Sequence, residues 1–310
     1  MPPSEPPEGP DADAVGAGGA AAFETLLAGR VATLVEVVRA QAEADGAPDV
    51  AALAVAIGAA PVEQIRQFPA AAQRALVLTE REDVAVAEIV ALCEGDPALA
   101  QAVLRQASSA LYGGAPCASL REAVLRLGAG GTRNAVLQVV VSGLLCRPGS
   151  DVAGMLDQCW AHMTRTAPLA SRLAGAFAAP PDDAFAAALL HDVGKLIVFD
   201  RATQLRGEWR RDLALPGAPF AALLRALHEP LGGLAALRWG LGIDTARAIA
   251  GHHRHPAPER RDAIGEAVHL AERLDLAAQR GVPLDLAEVW ATGRLTGSAA
   301  RVAHVLARAA

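Results

Sequence analysis

The chain has 310 residues, of which 52% are hydrophobic, so it is long enough to bury a substantial core. Only 4% of the residues are aromatic, and alanine and leucine dominate, a composition that favours helices over strands. A formal net charge of -6, without a basic stripe, argues against a dedicated nucleic-acid-binding protein. We therefore expect an all-α protein that has no nucleic-acid partner.

The first 19 residues are acidic, rich in proline and glycine, and lack the basic start and apolar run of a secretory signal. Residues 1–19 are therefore predicted to be a disordered tail. No uninterrupted apolar stretch of the sequence reaches the roughly 20 residues that a membrane-spanning helix needs. We expect a cytoplasmic protein with no membrane partner.

The rest of the chain divides into four helical segments in order. Residues 20–67 carry apolar residues near helical spacing, which predicts an N-terminal helical extension. In residues 68–148, short amphipathic runs alternate with glycine and proline, as at Gly95-Asp96-Pro97, where a stop, an N-cap and a first-turn proline follow one another. Residues 149–280 are predicted to form a second group of helices, and residues 281–310 are predicted to form a C-terminal helical segment.

Histidines are concentrated in the second group of helices, where seven of the eight fall between positions 160 and 270. A helix that starts at Pro181 is predicted to carry His191-Asp192 after an apolar run. Its companions are His162 on the preceding helix, His228 at a predicted helix end, and His252-His253, which close a helix that begins at Asp244. Neutral imidazole and carboxylate are ligands for divalent ions such as iron, manganese and zinc. The alternative is that these histidines cap helices or satisfy hydrogen bonds in the core.

Lys195 is the single lysine of the chain and follows the His-Asp pair by three positions. An ammonium group is a compact point charge on a flexible stem, whereas the guanidinium group of arginine is a flat fork. A site that needs an ammonium group would keep lysine. A coding bias towards arginine is the alternative explanation for the single lysine.

Several stretches resemble the HDOD family, the HD-related output domains of bacterial signalling proteins within the HD superfamily. The first half of the resemblance is carried by GDPALAQAVLRQASSALYGG, SLREAVLRLG and RNAVLQ, and the second half by WAHMTRTAPLASRLA, FAAALLHDVGKLIV, LHEPLGGLAALRWGL, ARAIAGHHRHP and AVHLAERLD, in the family order. It covers roughly residues 68–280, so that 68–148 would be the N-terminal helical half of the HDOD domain and 149–280 its HD-like half.

The resemblance implies an HD-superfamily-like helical bundle that holds one or two divalent metals and, in the enzymes of the superfamily, hydrolyses phosphate esters. Carried over by position, the metal ligands would be His162, His191, Asp192, His228, His252 and His253, with Glu272 where the family pattern has aspartate. Lys195 would contact a substrate phosphate. The identity of the metal stays open between iron, manganese, zinc, nickel and magnesium.

Three interpretations follow from this resemblance. In the first, which we prefer, the chain is a regulatory signal-transduction protein that binds a signalling partner protein, with a nucleotide as a further candidate ligand. HDOD members as a group are regarded as regulatory modules, and an HD hydrolase does not need the first half of the domain. In the second, the chain is an active metal-dependent phosphohydrolase acting on a nucleotide or phosphodiester. In the third, the histidines only satisfy hydrogen bonds in the core.

Overall fold

The computed structural model describes residues 12–63, 65–81, 83–145, 153–253, 262–292 and 295–307. Over these residues the chain is helical and contains no strand, which confirms the all-α prediction. No helix in this part of the chain combines the length and the apolar character that crossing a membrane requires. The helices are α1 (Ala12–Ala44), α2 (Pro48–Gly58), α3 (Ala70–Glu80), α4 (Val86–Glu94), α5 (Pro97–Ala107), a 3-10 turn (Ala110–Tyr112), α6 (Leu120–Leu145), α7 (Ala153–Phe177), α8 (Pro181–Leu190), α9 (Val193–Trp209), α10 (Gly217–Arg238), α11 (Ile243–Ala250), α12 (Ala263–Gln279), α13 (Leu286–Ala291) and α14 (Ala299–Ala307).

Helix α8 lies at the centre of the second group of helices. Every residue from 184 to 190 is buried, because α7, α11 and α12 all pack against this short helix. A helix that is apolar all round is expected in such a position. Helix α10 packs against α9 and α11 in the same group. The C-terminal end of α8 therefore points into the interior, where polar side chains need partners from neighbouring helices.

Helices α3 to α6 form the first group, with a smaller apolar cluster of its own around Ile89, Val103 and Val124. Helix α5 begins as predicted, since the Asp96 side chain accepts a hydrogen bond from the backbone N–H of Ala98 at 2.9 Å. Within α6, Gly128 has φ 67° and ψ -175°, so the helix has a sharp break at this residue. The predicted boundary at residue 148 lies outside the described residues and stays a prediction.

The N-terminal extension packs into the main core. Leu27, Val31 and Val35 of α1 are almost completely buried, because α1 packs along α2 and α10. Helix α1 begins at Ala12, inside the segment predicted to be a disordered tail, and residues 1–11 of that segment lie outside the described residues. The C-terminal segment contains α13 and α14, and α14 packs against α7.

The prediction that His228 lies at a helix end is wrong. Helix α10 continues to Arg238 with Pro230 inside it. Proline removes one backbone hydrogen bond and normally ends or kinks a helix. Here Leu227, Leu231 and Leu234 are buried on both sides of the proline, so packing of the apolar face outweighs the lost hydrogen bond.

Candidate metal centre

All seven residues predicted as metal ligands converge on one place in the fold. They come from α7 (His162), the turn between α8 and α9 (His191 and Asp192), α10 (His228), the end of α11 (His252 and His253) and α12 (Glu272). Three subsets have ligand atoms that all lie within 4.8 Å of one another: His162, His191 and Asp192; His191, His252 and Glu272; and His228, His252 and His253. Helix packing therefore brings together residues that lie more than a hundred positions apart along the chain.

The turn between α8 and α9 places the His-Asp pair. Helix α8 ends at Leu190, His191 caps it with helical φ and ψ, and Asp192, with φ -99° and ψ 7°, redirects the chain into α9. Gly194 then lies directly against α10, since a Cβ atom at this position would be 2.0 Å from the backbone oxygen of His228. Glycine thus allows the close approach that brings His228 beside Asp192.

Backbone carbonyls fix the tautomers of three of the histidines. The Nδ1 atoms lie 2.7 Å from Ala188 O in His191, 2.8 Å from Leu224 O in His228 and 2.7 Å from Ile249 O in His252. A carbonyl oxygen can only accept, so each Nδ1 must carry the proton and donate it. The Nε2 atom of each of these rings is then left with a lone pair.

His162 is fixed in the same sense by a side chain. Its Nδ1 atom lies 2.6 Å from Oδ2 of Asp275, which is buried on α12, and its Nε2 atom lies 3.2 Å from Nε2 of His191. With the proton of each ring on Nδ1, two lone pairs face each other across this short distance. Such a contact is favourable only when a proton or a metal ion shares it.

The Asp192 carboxylate lies in the middle of the cluster. Its oxygens are 3.6 Å from Nε2 of His191, 3.8 Å from Nε2 of His228 and 4.0 Å from Nε2 of His252. Asp192 Oδ1, His228 Nε2 and His252 Nε2 are buried and have no hydrogen-bond partner among the residues that the structure describes. Buried polar atoms are normally paired, and these three are acceptors that point at one another. The donor set and its unpaired atoms fit a divalent cation bound by imidazole and carboxylate.

Burial keeps four of the histidines neutral, which is the form that binds metals. It lowers the pKa of His191 and of His228 to about 4, and it lowers the pKa of His252 well below its usual value. Burial, together with the nearby His228, also lowers the pKa of the half-exposed His253 to about 4. At neutral pH the four rings are therefore available as ligands without the loss of a proton.

Asp192 and Lys195 form an ion pair at the edge of the centre. The Lys195 Nζ atom lies 2.6 Å from Asp192 Oδ2. Burial on its own would raise the pKa of Asp192, but the neighbouring His191 and Lys195 outweigh it, so the pKa is well below normal. Burial likewise works against the charge of Lys195, and the adjacent carboxylate raises its pKa above normal. Both groups are therefore charged near neutral pH.

Glu272 lies on the other side of the cluster, with its Oε2 atom 3.4 Å from Nδ1 of His253. Burial, reinforced by the charge of Asp192, raises the pKa of Glu272 to about 8. A bound cation would reverse this shift by favouring the carboxylate. Glu229, which follows His228, accepts a hydrogen bond from the backbone N–H of His253 at 3.1 Å and so ties the end of α11 to α10.

Asp275, like Glu229, lies beside the centre and was not among the residues predicted from the sequence. Asp275 holds His162, and it also accepts hydrogen bonds from Arg165 Nε at 2.8 Å and from Gln279. Burial works to raise the pKa of Asp275, but hydrogen bonds from Arg165 and His162 lower it below normal. The helical spacing held a usable signal, since Asp275 lies three positions after Glu272 and therefore on the same face of α12.

The helical bundle and its cluster of imidazoles and carboxylates define the class, an HD-type all-α domain. The chain belongs to the HDOD family, because the HDOD domain model matches residues 65–255. A relative in Treponema pallidum, an uncharacterised protein, is 29% identical over 206 residues. That match covers 64% of this chain and 39% of the relative, so the chain spans about two fifths of the relative's length.

Solved structures support the fold. An HDOD domain protein of unknown function from Geobacter sulfurreducens is 26% identical, with a TM-score of 0.53, over 71% of this chain and 75% of its own. A Shewanella amazonensis protein, provisionally named a phosphohydrolase, has a TM-score of 0.61 at 22% identity, over 80% of this chain and 91% of its own. A Marinobacter aquaeolei protein, provisionally named a signal transduction protein, has a TM-score of 0.54 at 23% identity, over 74% of this chain and 54% of its own. The last two show a shared fold alone.

Proposed function

We propose that this chain is a regulatory HDOD protein of bacterial signal transduction, whose buried divalent-metal centre stabilises the surface that binds a signalling partner protein. The metal centre is supported by three buried acceptors, Asp192 Oδ1, His228 Nε2 and His252 Nε2, for which the described part of the chain provides no hydrogen-bond donor. When bound, a divalent ion would supply the missing positive charge between these helices.

Burial of the ligands favours a regulatory function over hydrolysis. Of the seven candidate ligands, six are 9% exposed or less, and only the side chain of His253 is more than a third exposed, at 41%. A hydrolase needs an open metal position that a phosphate ester can reach. The Lys195 ammonium, which would contact that phosphate, is already held by Asp192. The arrangement is therefore suited to tying helices together.

Metal-dependent hydrolysis of a nucleotide or phosphodiester is the second candidate function. It is favoured by Lys195, whose side chain is 26% exposed and lies next to the metal-facing Asp192. If the Lys195 side chain moved away from Asp192, the Lys195 ammonium would be able to neutralise a phosphate oxygen. A bound ion supplies an activated water molecule for such chemistry.

The metal content of the purified 310-residue chain tests the proposal. We expect a divalent ion near one equivalent by inductively coupled plasma mass spectrometry, after stripping with a chelator and reconstitution with iron, manganese, zinc, nickel or magnesium. His191→Ala should lose it, because His191 contributes to two of the three ligand subsets. His304→Ala is the matched control, since His304 is exposed on α14, and it should keep the ion.

The same samples are then assayed for hydrolysis of cyclic and linear dinucleotides and nucleoside phosphates, and for thermal shifts with nucleotides. Bound metal without turnover supports the regulatory function. Turnover that His191→Ala abolishes and His304→Ala retains would establish the hydrolase instead. Absence of metal from the reconstituted wild-type chain would contradict both.

A further inference from the structure

Asp275 lies directly behind the His162 ring. The Oδ2 atom of this buried carboxylate is 2.6 Å from His162 Nδ1, while Nε2 of the same ring faces His191. Because the two ring nitrogens point in opposite directions, Asp275 cannot share a metal ion with Nε2. It acts on the centre only through the ring.

Among the described contacts, the outer partner of His162 differs from those of His191, His228 and His252. In those three rings the Nδ1–H donates to a neutral backbone carbonyl. His162 donates instead to a carboxylate, which makes a stronger hydrogen bond and increases the electron density that Nε2 offers to a metal.

The Asp275 carboxylate is itself held in place. Arg165, one turn after His162 on α7, donates from Nε to Oδ1 at 2.8 Å and from Nη2 to Oδ2 at 3.3 Å. Gln279, one turn further along α12, donates to Oδ2. With three partners on two helices, the carboxylate cannot rotate away from the imidazole.

We propose that Asp275 is a positioning residue that holds His162 in the tautomer with Nδ1 protonated and the Nε2 lone pair directed at the metal. This inference rests on the proposed metal centre. Without the carboxylate, His162 is free to take the other tautomer, in which Nε2 carries the proton and cannot bind a metal ion.

Metal affinity of an Asp275→Asn variant tests the proposal. We expect Zn²⁺ and Mn²⁺ to bind about 10- to 100-fold more weakly than to wild type, in competition with a chelator of known affinity. Asp200→Asn is the matched control, since Asp200 accepts hydrogen bonds from Arg66 and Gln204 in the same manner on α9. If Asp275 had only a structural role, both variants would lose stability but would bind metal with wild-type affinity. That result would overturn the inference.

The tautomer of His162 in the metal-free chain gives an independent readout by long-range proton–nitrogen NMR correlation. We expect a proton on Nδ1 in wild type and in Asp200→Asn, and a mixture of tautomers in Asp275→Asn. An unchanged tautomer in Asp275→Asn would overturn the inference. A tautomer that depends on Asp275, in a wild-type chain that binds no metal, would support the contact and contradict the proposed centre.

A second variant covers the outcome that Asp275→Asn does not fold. Arg165 is 47% exposed at its side chain, so Arg165→Gln should fold while releasing one side of the carboxylate. We expect a smaller loss of metal affinity, about three- to tenfold, and wild-type affinity in Arg165→Gln would count against the proposal.

Discussion

Substitution of Lys195 should have different effects in the metal-free and metal-bound forms of the proposed centre, because its charge is paired with that of Asp192. Its ammonium compensates the buried Asp192, and the contact of 2.6 Å is partly shielded from solvent. Removal of one partner of such a pair leaves the other charge without compensation, which costs more than the pair itself contributes.

We therefore predict that Lys195→Met lowers the free energy of unfolding of the metal-free chain by about 1–3 kcal/mol. A bound divalent ion supplies the missing charge, so the loss should become smaller in the presence of saturating metal. Urea unfolding with and without metal measures both values. Lys195→Arg is the control that keeps the charge, and equal losses in both metal states for Lys195→Met would refute the explanation.

At the residue scale the sequence predicted which side chains meet, and the structure brings all seven together. Asp275 and Glu229 were not among the predicted residues, and their partners His162 and His253 lie 113 and 24 residues away. Helical periodicity gives the face of a residue on its own helix, but not the neighbour across a packed interface. Whether the seven residues bind a metal stays a prediction.

At the scale of the helix, the close contact between α9 and α10 sets the position of His228. Gly194 permits this contact, because a Cβ atom there would lie 2.0 Å from His228 O and 2.6 Å from the carbonyl carbon. Backbone atoms cannot move aside as a flexible side chain can. Any larger residue must therefore push the two helices apart.

Gly194→Ala should lower the free energy of unfolding by about 2–4 kcal/mol, as expected for overpacking in a core, and should weaken metal binding. Gly207→Ala provides the control on the same helix, since a Cβ atom there meets nothing within 4 Å. That variant should be neutral or gain up to about 1 kcal/mol from the helix propensity of alanine. Chemical denaturation and chelator competition check both effects, and similar behaviour of the two variants would be incompatible with this packing.

The helices differ in how well the sequence predicted them. The start of α5 follows from Asp96-Pro97, because an N-cap and a first-turn proline act through local hydrogen bonds. The course of α10 through Pro230 could not be predicted, because it depends on packing against α1, α9 and α11. Local signals thus fix helix starts, and tertiary contacts decide whether a proline ends a helix.

At the scale of the whole molecule, the proposed metal would link helices that are far apart in the chain. The candidate ligands span residues 162 to 272 and come from α7, the turn between α8 and α9, α10, the end of α11 and α12. An ion that binds only the folded chain stabilises it by mass action.

Metal should therefore raise the unfolding temperature in a concentration-dependent way. At a free metal concentration of 100 times Kd, the added stability should be about 2.7 kcal/mol. Calorimetry over a series of metal concentrations measures this shift. His191→Ala should show no such dependence, and an equal shift in His191→Ala would indicate binding elsewhere in the chain.

An ion pair links the N-terminal extension to the second group of helices. It joins Asp49 on α2 to Arg211, which follows α9. Arg211 donates to the two carboxylate oxygens at 2.8 and 2.5 Å, and the backbone N–H of Ala214 donates at 2.8 Å. The hydrogen bonds from Arg211 outweigh burial and lower the pKa of Asp49 to about 2.

The pH dependence of stability follows from this shift. Because the pKa of Asp49 is lower in the folded chain than in the unfolded chain, the ion pair contributes fully above about pH 4. Its contribution is lost as the pH falls from about 4 towards 2. The lower pKa of Asp49 in the folded chain corresponds to about 2.5 kcal/mol, and solvent around the half-exposed Arg211 reduces this to about 1 kcal/mol.

Asp49→Asn should therefore be less stable than wild type by about 1 kcal/mol at pH 6, and the difference should shrink as the pH approaches 2. Urea unfolding of both chains between pH 6 and pH 2.5 measures it, with Asp83→Asn as the control, since Asp83 pairs with Arg81 at an exposed position. A difference that stays constant with pH would mean that the packing of Asp49, and not its charge, holds the extension in place. In that outcome the extension would be attached mainly by α1, because its buried Leu27, Val31 and Val35 carry no charge that acid could remove.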